Sequence, residues 1–158
     1  MESVIEQLSE YELERGKPVP DTIHGIVQTN IAGELFIRYR SVYRIMSEVT
    51  LDTQPVGTTP DVLVYPTFEP DFQNRSARRS DPPLLTIEIQ SPSQSLEVMV
   101  EKTAIYFHFG VKSCWVVLPS IKAVIVYTAP DTYRFFHDKD LLTDENAGIE
   151  LPVDLLFA

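Results

Sequence analysis

The sequence predicts an α/β protein in which a mixed β-sheet packs against helices. Two stretches begin at a capping residue and sustain helical spacing, Thr22 to Tyr39 and Leu96 to Phe109. Between and after them lie short runs of strand length: "DVLVY", "LLTIEI", "CWVVL", "AVIVYT" and "TYRFFH". The resulting order is helix, three strands, helix, then three or four strands. Strands interleaved with helices in this way form a sheet with helices laid on it.

The elements follow in chain order. "YELERGKPVP" reads as a short strand or turn closed by Pro18 and Pro20. Asp21 and Thr22 then offer an N-cap. Ile23, Ile26, Val27, Ile31 and Leu35 supply an apolar helical stripe centred near Val27. "VYRIMSEVTL" (Val42 to Leu51) reads as one extended strand and "QPVGTTP" as a turn. "DVLVY" is a short buried strand ending at Pro66. Residues 66–83, rich in Pro, Asp, Arg and Ser, read as a long loop before the strand Leu84 to Gln90. "SPSQS" supplies a turn and the cap of a helix that is apolar on most of its circumference, which predicts packing on two sides. Gly110 stops it. "CWVVL" and "AVIVYT" form a hairpin, "TYRFFH" is a further strand, "DKDLLTDENAG" a polar loop, and "IELPVDLLFA" a last strand and turn.

The 158 residues, 44% hydrophobic and 23% charged, suit one globular domain over residues 1–158. No apolar run approaches the roughly 20 residues that span a bilayer, so no membrane segment is expected. "MESVIEQLSE" lacks a basic stretch followed by an apolar one, so the expected location is cytoplasmic. A single cysteine, Cys114, excludes an internal disulfide and a cysteine-held zinc, and reads as a core thiol. The net charge of −10 argues against non-specific nucleic-acid binding, whose affinity rests on Lys and Arg. It leaves room for a nuclease, because a metal site needs carboxylates.

Polar residues in apolar settings mark the candidate chemistry. Asp61 opens an aliphatic strand, and Glu88 and Gln90 share one side of the next by strand alternation. Lys102 sits on a mostly apolar helix. Glu34, seven residues after Val27, falls inside the apolar stripe, where a carboxylate is costly unless paired or metal-bound. Carboxylates from two adjacent strands and a helix would offer Mg²⁺ hard oxygen ligands, with phosphate oxygens and water completing its shell. A nearby Lys would place charge on a phosphate or an attacking water. A structural reading stays open for each: Asp61 capping a turn, Glu88 paired with Lys102, Glu34 reaching the helix end. "NRSARRS" holds the dense basic cluster Arg75, Arg78 and Arg79, either a phosphate-contacting loop or a solvated surface. His24 reads as a helix-start residue, and Trp115, Tyr106 and Phe107 as core.

The order Pro60-Asp61, then Glu88-x-Gln90, resembles the PD-(D/E)xK nuclease signature with Gln in the Lys slot. More specifically, "PDVLV", "LLTIEIQSPSQS", "EKTAIYFHFGVKSCWVV" and "LPVDLLF" resemble the Uma-two family of restriction-endonuclease-like proteins, from about Tyr11 to the C-terminus. The resemblance implies a restriction-endonuclease-like core and a Mg²⁺- (or Mn²⁺-) dependent endonuclease acting on DNA. Asp61 and Glu88 match its metal-binding carboxylates, to which the helical spacing adds Glu34 as a further acid. Lys102 looks like the relocated signature lysine, acting with Gln90 near the attacking water and supported by Tyr106. A catalytically inactive binding or assembly module, or a hydrolase of another phosphate ester, is the competing expectation. A homodimer is expected on general grounds.

Overall fold

The computed structural model describes residues 19–158; the turn expected in "YELERGKPVP" lies, up to Pro18, outside them. Helix α1 (Thr22–Tyr39) starts where expected because the Asp21 carboxylate accepts a hydrogen bond from the His24 amide. Its buried positions are His24, Val27, Ile31 and Leu35. The inward stripe is therefore rotated from the expected one, and Ile23 and Ile26 stand 54% and 46% exposed.

The strand expected over Val42 to Leu51 is broken at Glu48, whose φ of 57° turns the chain. Strands β1 (Tyr43–Ser47) and β2 (Thr50–Leu51) result. Next come β3 (Val62–Pro66), β4 (Arg78–Arg79) and β5 (Leu85–Ile89). The loop over 66–83 is thus not free of structure, since β4 pairs in parallel with β2. Helix α2 (Leu96–Phe109) is capped by Ser95, whose hydroxyl accepts from the Val98 amide, and ends at Gly110 with φ of 112°. A single face of α2 is buried (Met99, Thr103, Tyr106), while Leu96 and Val98 are exposed. Packing on two sides was the wrong expectation: the sheet covers one flank and nothing among the described residues buries the other.

After α2 run β6 (Ser113–Leu118), β7 (Ala123–Ala129), β8 (Thr132–His137), β9 (Leu141–Asp144) and β10 (Ile149–Pro152). The main sheet has the order β1-β3-β5-β6-β7-β8. Within this sheet β5 and β6 pair in parallel and the other neighbours antiparallel, and α2 is the crossover that the parallel pairing demands. The mixed sheet with helices is as expected. It separates two apolar clusters. One joins Ile31 and Leu35 of α1 to Ile87, Trp115 and Val126; the other joins Met99 and Tyr106 of α2 to Leu63 and Val116. Full burial of side chains such as Ile31 or Leu35 contributes roughly 1.5–3 kcal/mol each.

"DKDLLTDENAG" is not a plain polar loop. Leu142 and Asp144 of β9 are buried, and β9 pairs with β10 in a small hairpin that closes the α1 side. Asp144 makes this feasible. Its carboxylate accepts from the Ser113 hydroxyl at 2.7 Å, the Trp115 indole at 2.8 Å and the Ala147 amide at 3.1 Å.

Cys114 lies in the α2-side core, and burial pushes its thiol up to about 12. The thiolate is the reactive form, so the native protein at pH 8 is expected to resist an aromatic disulfide reagent. One thiol should react once denaturant is added; rapid labelling of the native protein would contradict the burial. No helix among the described residues is long and apolar enough to cross a membrane.

Candidate active site

The candidate site sits where β3 begins and β5 ends. The ladder pairs Val62 with Ile87, so its next position sets Asp61 opposite Glu88. Asp61 is fully buried, and its Oδ2 accepts from the Ile89 amide at 2.7 Å. That bond satisfies the last N–H of β5 with a side chain and anchors the carboxylate to the neighbouring strand. His24 Nε2 lies 3.3 Å from the same oxygen, with 3% of the His24 side chain exposed. His24 is thus more than a helix-start residue: the first turn of α1 is braced against Asp61. The signal was its position at the stripe's buried edge, four residues before Gln28, whose amide donates to the Asp61 carbonyl.

Glu88 alternates with Ile87 and Ile89, which face α1, so its side chain lies on the α2 face, where it is 4% exposed. The Tyr106 hydroxyl donates to its Oε1 at 2.6 Å, and Lys102 Nζ lies 3.9 Å from the same oxygen. Lys102 and Tyr106, one helical turn apart on α2, therefore both reach Glu88. Burial first, and then the Glu88 charge, push Tyr106 well above the usual phenol range, so it remains a hydrogen-bond donor. Glu88 and Lys102 are brought together as the sequence suggested, and Tyr106 is both core and support.

Other candidates lie elsewhere. Strand β5 stops at Ile89, so alternation does not carry Gln90 onto the Glu88 side. Its side chain donates instead to the Gln94 carbonyl at 3.0 Å, bracing the turn before α2. Glu34 is not brought to Asp61. It pairs with Arg38 at 3.2 Å and is 27% exposed, because the buried stripe runs through Ile31 and Leu35 and leaves it on the flank. Ten residues of helix also separate it from His24, about 15 Å of rise.

Two of the three loop arginines are engaged within the chain. Arg78 pairs with Asp52 at 2.6 Å. Arg79 forms two bonds to Asp81, at 2.9 and 2.8 Å, and lies 4.3 Å from the Tyr65 ring centre and 4.8 Å from that of Phe68. Arg75 is exposed in the same loop.

Asp61 and Glu88 are hard oxygen donors, and no group of three or more His, Cys, Asp or Glu able to hold a metal occurs among the described residues. Such a donor set does not fit an ion that demands an all-protein cage. It fits Mg²⁺, which takes one or two carboxylates and completes its shell with water and phosphate oxygens.

Beside this site, on the α1 face, opens a cleft of about 460 Å³. His24 and Gln90 belong to its wall, whereas Asp61, Glu88 and Lys102 do not.

Comparison with known proteins agrees with this architecture. The model of the Uma2 family, described as "Putative restriction endonuclease", matches residues 3–154. Among solved structures, the chain is similar to a putative nuclease belonging to DUF820 from Anabaena variabilis ATCC 29413. The TM-score is 0.76 at 20% sequence identity, covering 89% of this chain and 83% of that one. No curated protein matches the chain.

Proposed function

Since the chain belongs to the Uma2 family of restriction-endonuclease-like proteins, we propose that it hydrolyses phosphodiester bonds of DNA with Mg²⁺ or Mn²⁺ held by Asp61 and Glu88. The observation that supports this most is the seating of a partly buried lysine against a buried carboxylate, Lys102 on Glu88, directly opposite Asp61 in the ladder. A buried charge is retained at a cost unless something else uses it. A divalent ion held by these acids would supply Lewis-acid charge to a phosphate oxygen and a more acidic water.

The chain's own residues do the rest. His24 and the Ile89 amide fix the Asp61 carboxylate, and Tyr106 fixes that of Glu88. Lys102 sets positive charge where the attacked phosphate accumulates negative charge. In-line attack by water breaks one P–O bond and leaves a phosphate monoester and a hydroxyl end.

Cleavage of supercoiled plasmid should appear with Mg²⁺ or Mn²⁺, vanish in EDTA, and vanish in Asp61→Ala. Undiminished cleavage by Asp61→Ala would sink the site. A second reading, a nuclease-fold binding module without catalysis, is favoured by Gln90 facing away from Glu88 and by the net charge of −10. Calorimetric titration separates the two: no heat at millimolar Mn²⁺ supports the inactive module.

A further inference from the structure

The cleft beside the site is a second feature with chemistry of its own. It lies between the start of α1, the turn after β5 and the hairpin joining β6 to β7. Its volume of about 460 Å³ is within the roughly 300–1,000 Å³ of small-molecule sites. Ile26, Pro119 and Phe157 give it apolar walls. Polar residues break these walls, His24, Lys122 and Gln90 among them. His24 is 3% exposed, and its Nδ1 has no hydrogen-bond partner among the described residues. Buried polar atoms are nearly always paired, so this orphan nitrogen, in a side chain that the cleft touches, leaves capacity for one further bond. Lys122 is exposed and has no acidic partner among the described residues, leaving its ammonium available at the hairpin. Gln90 adds an amide. Asp21, the acid on the wall, is engaged in capping α1.

An apolar slot with an unpaired ring nitrogen and one available cation suits a flat heterocycle joined to an anion. The cleft also communicates with the catalytic acids through protein atoms. His24 touches both Asp61 and the cleft, and Gln90 directly follows Ile89, whose amide holds Asp61. We infer that the cleft binds one nucleotide unit of the substrate strand, its base between Ile26, Pro119 and Phe157 and its phosphate on Lys122. The assignment rests on the phosphodiester reading above, because that reading brings a strand past Asp61. It adds a place on the α1 face of the sheet where a base leaves the stack and the strand is held in register.

The test is a ¹H–¹⁵N titration of the full chain with thymidine 5′-monophosphate in EDTA. Saturable shifts are expected at His24, Gln90, Ser91 and Lys122. Lys122→Ala should weaken binding roughly tenfold, the loss of one charged hydrogen bond. Ile26→Glu, at an exposed wall position that leaves the core intact, should abolish it. Thymidine without its phosphate should bind the wild type as weakly as the nucleotide binds Lys122→Ala. Absence of saturable shifts at about ten millimolar, well above the dissociation constant of a millimolar site, overturns the proposal. So does equal binding by wild type and both variants. Because EDTA removes divalent ions, this outcome is independent of the metal site. Nucleotide binding in a protein that never cleaves DNA would sink the hydrolytic reading alone. A silent titration in a protein that cleaves would sink the cleft alone.

Discussion

The Lys102→Ala protein is expected to cleave DNA at least about a hundredfold more slowly while binding divalent metal no less tightly. Removing one preorganised charge or donor aimed at a developing anion costs on the order of 10²–10³ in rate. Lys102 is 16% exposed and Glu88 5%, so the ammonium acts where water screens it little. The sign of the metal effect follows from the same geometry. Lys102 sits 3.9 Å from a Glu88 oxygen and repels any cation bound there. Its loss therefore cannot weaken the ion electrostatically. Glu88→Gln behaves differently: it keeps an acceptor for Tyr106 but discards the ligand charge, so affinity and rate fall together. Loss of outer-shell partners alone costs 10–100-fold, and a direct ligand should exceed that. Calorimetry with Mn²⁺ beside plasmid cleavage separates the two patterns. Loss of metal affinity in Lys102→Ala would mean that the lysine supports the local structure rather than the chemistry.

Replacing Asp144 by alanine is expected to lower stability by about 3–5 kcal/mol. Three donors lose their acceptor at once: the Ser113 hydroxyl, the Trp115 indole and the Ala147 amide. Each buried donor left unpaired costs about 1–3 kcal/mol, and the three share one carboxylate, so the costs do not simply add. For a chain of this length the melting temperature should drop by about 10 °C or more. Asp144→Asn should fall between, because an amide keeps one acceptor but turns a donor toward a donor. Glu145→Ala, next in sequence and exposed, should lie within about 0.5 kcal/mol of wild type. If urea denaturation finds Asp144→Ala equally mild, the hairpin β9–β10 is not held by this carboxylate.

Both helices were legible because their ends are written in local chemistry. Asp21 and Ser95 cap the starts, and Gly110 accommodates a backbone angle that other residues resist. Glu88 with Lys102 was legible through strand alternation. What escaped depends on long-range partners. Asp144 looks like a loop acid until Trp115 and Ser113, about thirty residues earlier, supply its donors. Glu34 reads as buried because it falls seven residues after Val27, but Val27 lies at one edge of the face that the fold buries with His24, Ile31 and Leu35, which leaves Glu34 on the flank. Gln90 looked like a partner of Glu88 because nothing local marks Ile89 as the strand's last residue; that end is set by Asp61 bonding its amide from another strand. His24 escaped for the same reason.

The stapled loop between β3 and β5 has an entropic consequence. Arg78 on Asp52, Arg79 on Asp81 and two aromatic rings, and the β2–β4 pairing already hold it in the free protein. A flexible basic loop loses conformational freedom when a phosphate orders it, at about 1–2 kcal/mol per residue fixed. Here that freedom is surrendered on folding. Were Arg75 to meet a phosphate from this loop, less ordering would remain to be done at that moment, so the intrachain pairing of Arg78 and Arg79 would favour the contact.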